Sequence, residues 1–367
     1  MTDASSERGS SLAHALVLLY AAAIAYASLQ PFGDWMTPLP DTPFWLTGAY
    51  SRKSTTFDII ANVLTYAPLG FFASLMWKRA SPRHCVLIAV AAGAIVSFAM
   101  ETLQWYMPPR YATVVDFACN TVGALIGGLL GAAYTRSPLR SMLRKWRPRA
   151  IVPGTMGDVG LALIALWLVA QLNPAIPPFA LTFDPGTLAM APGAPVDDLA
   201  TMLIEAAQSA SQLVGVGLFA ALLVRNRSFA GGATLVLVGI ALLLKGVSAM
   251  LLLKPAVFVT WLSPGILLGI ALGTALLIVA NFLPRPVQVA GCAIALLTSL
   301  LAPLLTPDVM FASPPLTLFN GRFGHLLSFN GLTRIVLVVW PVMAAAWLFA
   351  LAGRPGWGNP ETARLKS

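Results

Sequence analysis

The sequence predicts an all-α, polytopic integral membrane protein, a helical bundle with about ten transmembrane helices. Three observations predict this fold class. Hydrophobic residues make up 57% of the 367 residues and charged residues only 10%, and the mean hydropathy is +0.78. Soluble domains are about one-quarter charged, so lipid must cover much of this chain. The apolar residues also form long unbroken runs, whereas the strands of a membrane barrel would alternate.

Ten segments have the apolar character of a membrane-spanning helix, which needs roughly 20 residues. In chain order they are 11–29, 58–77, 85–106, 113–134, 157–173, 199–224, 229–252, 262–282, 287–305 and 332–352. In the first segment, Ala25-Tyr26-Ala27 resembles the small-residue pattern of a signal-peptidase site. We nevertheless expect this helix to be retained, because Asp3 and Glu7 offset Arg8 and leave the start hardly positive.

The distribution of Lys and Arg predicts that both termini are cytoplasmic. In that orientation most of the 23 basic residues lie in cytoplasmic segments, as the positive-inside tendency requires. The net charge of +9 therefore reflects topology, and we expect no nucleic-acid partner. The basic run at 135–150 contributes most to this asymmetry. Its cations are interleaved with Leu, Met and Trp, so it could be an amphipathic helix on anionic lipid headgroups; a solvated loop is the alternative.

Polar side chains gather in the second, third and fourth predicted spans and in the short outer loop between the last two, which carries Arg110. They are Asp58, Asn62, Glu101, Gln104, Arg110, Asp116 and Asn120. Ionisable residues are rare inside membrane helices because burying a charge is costly, so each one is a functional candidate. The two Asp/Asn pairs have i,i+4 spacing and the Glu/Gln pair i,i+3, which places each pair on one helix face. The topology puts all of them near the outer surface, where we expect them to form one site.

This cluster allows several chemistries. A carboxyl group crowded by others, at Glu101, Asp116 or Asp58, could act as a general acid or base. Arg110 could bind a phosphate or carboxylate. The structural alternative is that the acids cap helices and the amides hold them together. No HExxH motif, Ser-nucleophile motif or His/Cys ligand set is present, so we expect no metal and no cofactor, although carboxylates could hold a divalent cation.

A stripe of small residues follows the cluster in the fourth span. Gly123, Gly127 and Gly131 recur every four residues along one helix face. Such stripes let helix backbones approach closely in membranes. The stripe therefore predicts tight packing, either within the chain or in a dimer, and the oligomeric state stays open.

The stretches FDIIANVLTYAPLGFF and METLQWYMPPRYATVVDFACNTVGALIGG resemble the VanZ-like family, whose founding members are linked to glycopeptide (teicoplanin) resistance. The matching positions are Pro31-Phe32, Asp58 with Asn62, Pro68-Leu69-Gly70, Glu101 with Gln104, Arg110, and Asp116 with Asn120 and Gly123. The similar part is residues 10–135, and its motifs are specific in order and spacing. The resemblance implies a four-helix domain of the bacterial inner membrane whose polar cluster is the working part. It implies no established reaction.

The second half of the chain resembles a degenerate copy of the first. When the two halves are aligned with one constant offset in residue number, Pro31-Phe32 aligns with Pro178-Phe179 and Asp58 with Glu205. A slightly shorter offset aligns Glu101 with Lys245. Asp116 and Asn120 meet Thr260 and Pro264, so the second Asp/Asn pair is lost. Repeats are common in membrane folds, but two apolar sequences can also match by chance.

These observations predict four parts of the chain. Residues 1–135 are a VanZ-like four-helix membrane domain, 136–156 a basic cytoplasmic linker, 157–282 a second four-helix membrane unit, and 283–367 two further helices with an outer Pro-rich loop at 306–331. We expect membrane lipids to be partners of all the spans.

Three functions remain open from the sequence. The first is recognition of a cell-envelope component, such as a lipid-linked precursor headgroup, with Arg110 on the anion and the Asp/Asn pairs on hydroxyl or amide groups. The second is an intramembrane enzyme that uses Glu101 or Asp116 as general acid or base on a lipid-linked substrate. Transport is disfavoured, because transporters carry their polar site at the bilayer midplane and this cluster is superficial.

Overall fold

A computed structural model describes residues 4–29, 32, 35–38, 41–47, 56–77, 81–107, 112–173, 176, 178–179, 199–254, 262–305 and 324–354. In these ranges the chain forms eleven α-helices and a single 3₁₀ turn, and it forms no strand beyond an isolated bridge between Ile151 and Val224. The predicted all-α class is confirmed.

Each of the ten predicted segments coincides with a helix, and the basic run forms a helix of its own. In chain order the helices are α1 (Ala4–Leu29), α2 (Thr56–Ser74), α3 (Pro82–Trp105), α4 (Val114–Arg136), α5 (Pro138–Ala150), α6 (Thr155–Ala170), α7 (Leu199–Leu223), α8 (Ala230–Leu252), α9 (Pro264–Phe282), α10 (Arg285–Leu305) and α11 (Gly324–Ala352). The 3₁₀ turn (Arg227–Phe229) leads into α8.

Five helices in the described ranges are long and apolar enough to cross a membrane. They are Pro82–Trp105, Val114–Arg136, Met202–Leu223, Arg227–Met250 and Pro264–Phe282. Shorter apolar helices cover Leu16–Leu29, Thr155–Ala170, Arg285–Thr298 and Val339–Ala352. The chain therefore carries multiple candidate membrane spans, while the number ten stays a prediction.

The chain divides into two compact units, Met1–Arg144 (unit 1) and Lys145–Ser367 (unit 2). The division falls within α5, inside the segment predicted as a basic linker. The finer division into four parts stays a prediction.

Unit 1 is organised around the contact between α2 and α4. A Cβ atom at any of three α4 glycines would overlap atoms of α2, so only glycine fits at these positions. The contacts pair Gly123 with Val63, Gly127 with Ala67, and Gly131 with Phe71 and Ser74. Because both residue numbers rise together, α2 and α4 run parallel. The predicted glycine stripe thus packs within the chain, where it joins the backbones of two helices.

Unit 2 contains a second parallel pair built in the same way. Glycines of α9 lie against the backbone and small side chains of α7: Gly265 against Met202, Gly269 against Ala206 and Ser209, and Gly273 against Ala210. Helix α7 is the most enclosed candidate span, with 78% of its most apolar window buried. On another side of this unit, the indole N–H groups of Trp340 and Trp347 donate to the carbonyl oxygens of Leu163 and Met156, both at 2.8 Å.

The two units share further local features that favour the predicted duplication, which itself stays a prediction. Phe32 and Phe179 are the two described non-glycine residues with positive φ, at 63° and 56°, and each follows a proline. In unit 1 the Gln104 side chain donates to the carbonyl of Ser28, near the end of α1, at 2.9 Å. In unit 2 Lys245 Nζ donates to the carbonyl of Asn173, just after α6, at 3.0 Å.

Lys245 is the most deeply buried cation in the described residues, at 2% exposure. Glu205 of α7 is not its partner. Glu205 Oε2 instead accepts a hydrogen bond from Ser263 Oγ, which caps the start of α9. The ammonium therefore meets the partial charge of a carbonyl, a weaker partner than a carboxylate.

We expect Gly127→Ala to destabilise the protein, because the new methyl group would overlap the carbonyl oxygen of Ala67. Overpacking of this kind costs about 1–3 kcal/mol. Thermal unfolding of the detergent-solubilised protein, followed by circular dichroism, should show a lower midpoint. Gly239→Ala is the matched control, since no atom lies within 4 Å of its added Cβ and Ala favours a helix by about 1 kcal/mol over Gly. An equal or higher midpoint for Gly127→Ala would contradict the backbone contact.

Candidate functional site

The candidate site lies where α3 ends, α4 begins and the first half of α2 passes. Thr113 is the N-cap of α4, with φ −137° and ψ 146°, and its Oγ1 accepts a hydrogen bond from the backbone N–H of Asp116 at 3.0 Å. Asp116 lies in the first turn of α4, where the helix dipole favours a negative charge. The start of α4 thus directs a carboxylate and a hydroxyl group toward the neighbouring helices.

Four residues form a continuous hydrogen-bonded network across three elements. Asn62 Nδ2 of α2 donates to Asp116 Oδ1 at 2.5 Å. The Thr113 hydroxyl donates to Asp116 Oδ2 at 2.8 Å, and the Thr113 backbone N–H donates to Glu101 Oε2 of α3 at 3.0 Å. Both acids are therefore held by hydrogen-bond donors, and Thr113 links them.

A second polar layer lies one helical turn deeper along α4. Asn120 Nδ2 donates to Ser97 Oγ at 2.9 Å, in a buried contact between α4 and α3. Tyr66 of α2 lies beside Ser97 and within electrostatic range of Glu101. Asn120 is only 4% exposed, and its Oδ1 has no hydrogen-bond partner within the described structure. A buried acceptor without a donor is unfavourable, so this oxygen is available to a ligand or a water molecule.

The structure brings together four of the seven predicted site residues: Asn62, Glu101 and Asp116 in the network, and Asn120 in the layer below. Asp58 is half-buried in the first turn of α2, one turn from Asn62. Gln104 instead bonds to Ser28 of α1, so its amide serves helix packing. Arg110 lies outside the described residues.

Sequence reasoning missed the residue that connects the two carboxylates. Thr113 precedes Asp116 by three positions, which is the spacing of a helix N-cap followed by an acidic residue in the first turn. That signal was available in the sequence. Ser97 and Tyr66 carried no such signal, because a single Ser or Tyr in an apolar run indicates no particular partner.

Aromatic side chains cover the same end of unit 1. Trp45 is 5% exposed, although it belongs to the segment between α1 and α2. Its ring lies 5.5 Å from that of Phe98 on α3 and 5.9 Å from that of Phe117 on α4, and its indole N–H donates to Thr102 Oγ1 at 3.3 Å. Phe44 contacts Trp105 with ring centroids 5.4 Å apart. Such aromatic residues are typical of the membrane–water interface.

The site is therefore an anionic, hydrogen-bonding cluster with a buried base and a more accessible rim. Glu101 and Asn120 are buried, whereas Asn62, Thr113 and Asp116 are partly exposed. Carboxylate and amide oxygens accept hydrogen bonds from hydroxyl, amide and ammonium groups. This arrangement can accept hydrogen bonds from a polar ligand.

We expect Trp45→Ala to destabilise unit 1 by about 3–5 kcal/mol, the usual cost of removing a large buried aromatic side chain. Trp45→Phe should cost less, since it keeps an aromatic ring at this position and loses part of the ring volume and the bond to Thr102. Trp35→Ala is the control, because Trp35 is 48% exposed. Chemical denaturation in detergent can rank the three variants. Similar stability for Trp45→Ala and Trp35→Ala would show that the aromatic cover does not hold the bundle.

Comparison with known proteins supports the assignment of the N-terminal part alone. No curated protein and no solved structure matches the chain. The VanZ/LLP1 family model matches residues 11–134. The predicted resemblance is thus confirmed, and it identifies the N-terminal third of the chain as a VanZ-like region that contains the whole polar network.

Proposed function

We propose that unit 1 is an outward-facing recognition domain that binds the headgroup of a lipid-linked envelope precursor and thereby contributes to envelope or glycopeptide resistance. The observation that carries this proposal is the network of Asn62, Glu101, Thr113 and Asp116, which joins three elements at one end of the bundle. A cluster that only stabilised the helices would not need two carboxylates so close together. Their mutual repulsion is tolerated more readily where a ligand supplies hydrogen-bond donors.

The ligand would contact the accessible rim and reach toward the buried layer. Asn62 and Asp116 would orient hydroxyl or amide groups, and Asn120 Oδ1 would accept a further hydrogen bond. Arg110 precedes Thr113 by three residues in the sequence and would contact the anionic group of the headgroup. An acceptor-rich rim, with Arg110 close to it in the sequence, suits a phosphate-linked sugar or amide better than a purely apolar lipid.

Binding is preferred over catalysis for a geometric reason. Both oxygens of Asp116 and one of Glu101 accept hydrogen bonds from Asn62 and Thr113. These contacts position the carboxylates and reduce their freedom to exchange protons with a substrate. An intramembrane enzyme with Glu101 as general acid or base is the alternative, and the experiment below separates the two.

The proposal is tested with the full-length protein in nanodiscs, using a polyprenyl diphosphate that carries a disaccharide as the probe. We expect Asp116→Asn and Arg110→Ala to weaken binding at least tenfold, about 1.4 kcal/mol, because each removes a charge that we assign to the contact with the headgroup. Glu205→Gln is the control, since it removes a carboxylate of unit 2 that bonds to Ser263, the N-cap of α9. Calorimetry or fluorescence titration measures the affinities.

Two results would decide against recognition. The first is unchanged binding by folded Asp116→Asn and Arg110→Ala proteins, together with unchanged resistance of cells to envelope stress. This result would show that the cluster does not recognise the headgroup. A product of the probe, detected by mass spectrometry and absent with Glu101→Gln, would instead establish the enzyme.

We further propose that the chain crosses the bacterial inner membrane ten times, with both termini in the cytoplasm and the network outside. We expect Thr37→Cys, in the exposed segment after α1, to react with a membrane-impermeant maleimide in intact spheroplasts. Ser141→Cys, exposed in α5, should react only after permeabilisation. The parent protein is the background control, because it measures the labelling of half-buried Cys119 and of buried Cys85 and Cys292. The reverse labelling pattern would invert the topology.

A further inference from the structure

Helix α5 has two chemically distinct sides. Leu139, Met142, Leu143 and Trp146 follow the i, i+3, i+4, i+7 spacing of one helix face, and each of them is at least 45% exposed. No residue of α5 is buried. The helix therefore presents an apolar stripe that stays largely exposed in the described part of the protein.

The remaining sides of α5 are strongly cationic. The helix carries five basic residues, Arg140, Arg144, Lys145, Arg147 and Arg149, and no acidic residue. Only one of them is paired with a carboxylate in the described structure: Arg147 forms a salt bridge with Asp158. An apolar stripe flanked by cations is typical of a helix that lies in the plane of an anionic membrane surface.

A cavity of about 170 Å³ adjoins this helix within unit 1, at the opposite end of α4 from Asp116. A single water molecule needs only about 10–15 Å³ in the same measure, so the cavity can hold a larger group. Its walls are mainly apolar and include Ala13 and Leu16 of α1, Phe72 and Leu75 near the end of α2, and Tyr134 of α4.

One cation of α5 belongs to the wall of this cavity. Arg140 lines it and donates one hydrogen bond, from Nη1 to the carbonyl of Thr135 at 3.2 Å. A guanidinium has five N–H donors, so most of its donor capacity remains for a ligand. Arg144 lies one turn further along α5, on the same side as Arg140.

We propose that this cavity and the adjoining part of α5 bind one anionic phospholipid. An acyl chain enters the apolar cavity, and the phosphate contacts Arg140 with support from Arg144. The apolar stripe of α5 lies at the boundary between headgroups and acyl chains. Charge complementarity selects an anionic lipid over a zwitterionic one, because five cations without a carboxylate in the same helix attract a net negative headgroup. This site is independent of the outward network and of its ligand.

The test uses the full-length protein in nanodiscs that contain equal amounts of phosphatidylcholine and phosphatidylglycerol. Native mass spectrometry after mild release should show one phosphatidylglycerol molecule retained on each protein. We expect Arg140→Gln to reduce this retention at least fivefold. Arg149→Gln makes the same change of charge on the same helix, outside the cavity, and should stay within twofold of the parent. Equal losses in the two variants would overturn the site, leaving only a diffuse electrostatic attraction.

A second arm examines the acyl chain. Ala13→Leu and Leu16→Phe both add volume to the cavity wall, and at least one should keep the parent's unfolding midpoint. The folded variant should retain less phosphatidylglycerol, and millimolar glycerol phosphate should not displace the lipid from the parent protein. Displacement by glycerol phosphate, or undiminished retention with the cavity filled, would show that no chain occupies the cavity. Equal retention of phosphatidylcholine would also contradict the proposal.

Discussion

The close parallel contact between α2 and α4 is the constraint on which the rest of unit 1 depends. In a bilayer, lipid tails are as apolar as the side chains, so helices associate through close packing and hydrogen bonds rather than by hydrophobic burial. The glycines of α4 allow its backbone to lie directly against that of α2. The same contact sets the distance between Asn62 and Asp116, because both residues precede the glycine contacts on these two helices. The contact between α2 and α4 therefore both holds this domain together and positions its polar side chains.

Unit 2 uses the same kind of parallel pair but carries different chemistry. Helix α9 lies against α7 through its own glycines, yet its first turn is capped by Ser263 bonded to Glu205, without an Asp/Asn pair. Lys245 occupies the position that the predicted duplication assigns to Glu101, and its ammonium bonds to the Asn173 carbonyl. The packing arrangement is thus similar in the two units, while the charge at the position that the duplication would match has the opposite sign. If the halves are copies, only the first has kept an acceptor-rich cluster.

The two ends of unit 1 also differ in how their polar groups are arranged. Around Asp116 the side chains bond to one another and form a defined network. Around α5 the cations are exposed and largely separate, beside an apolar cavity. The first arrangement favours recognition of a particular headgroup by geometry. The second favours attraction of a class of lipids by charge, since exposed cations impose little orientation on their partners.

The sequence by itself determined the helical class, the positions of the membrane helices and the glycine stripe, and it predicted an amphipathic helix as one of two alternatives for α5. These features follow from composition and local periodicity, which can be read from one segment without knowing which other segments pack against it. It also indicated Asn62, Glu101, Asp116 and Asn120 as members of one polar cluster, although Asn120 lies one helical turn deeper than the others. Only the tertiary structure decided which partners the side chains have. Thr113 links the two acids, Gln104 bonds to Ser28, and Glu205 bonds to Ser263. Trp45 packs against the end of the bundle. Periodicity places a side chain on a helix face, but its partner depends on the register and spacing of helices distant in sequence. The backbone contacts that set this register are long-range, and no single segment encodes them.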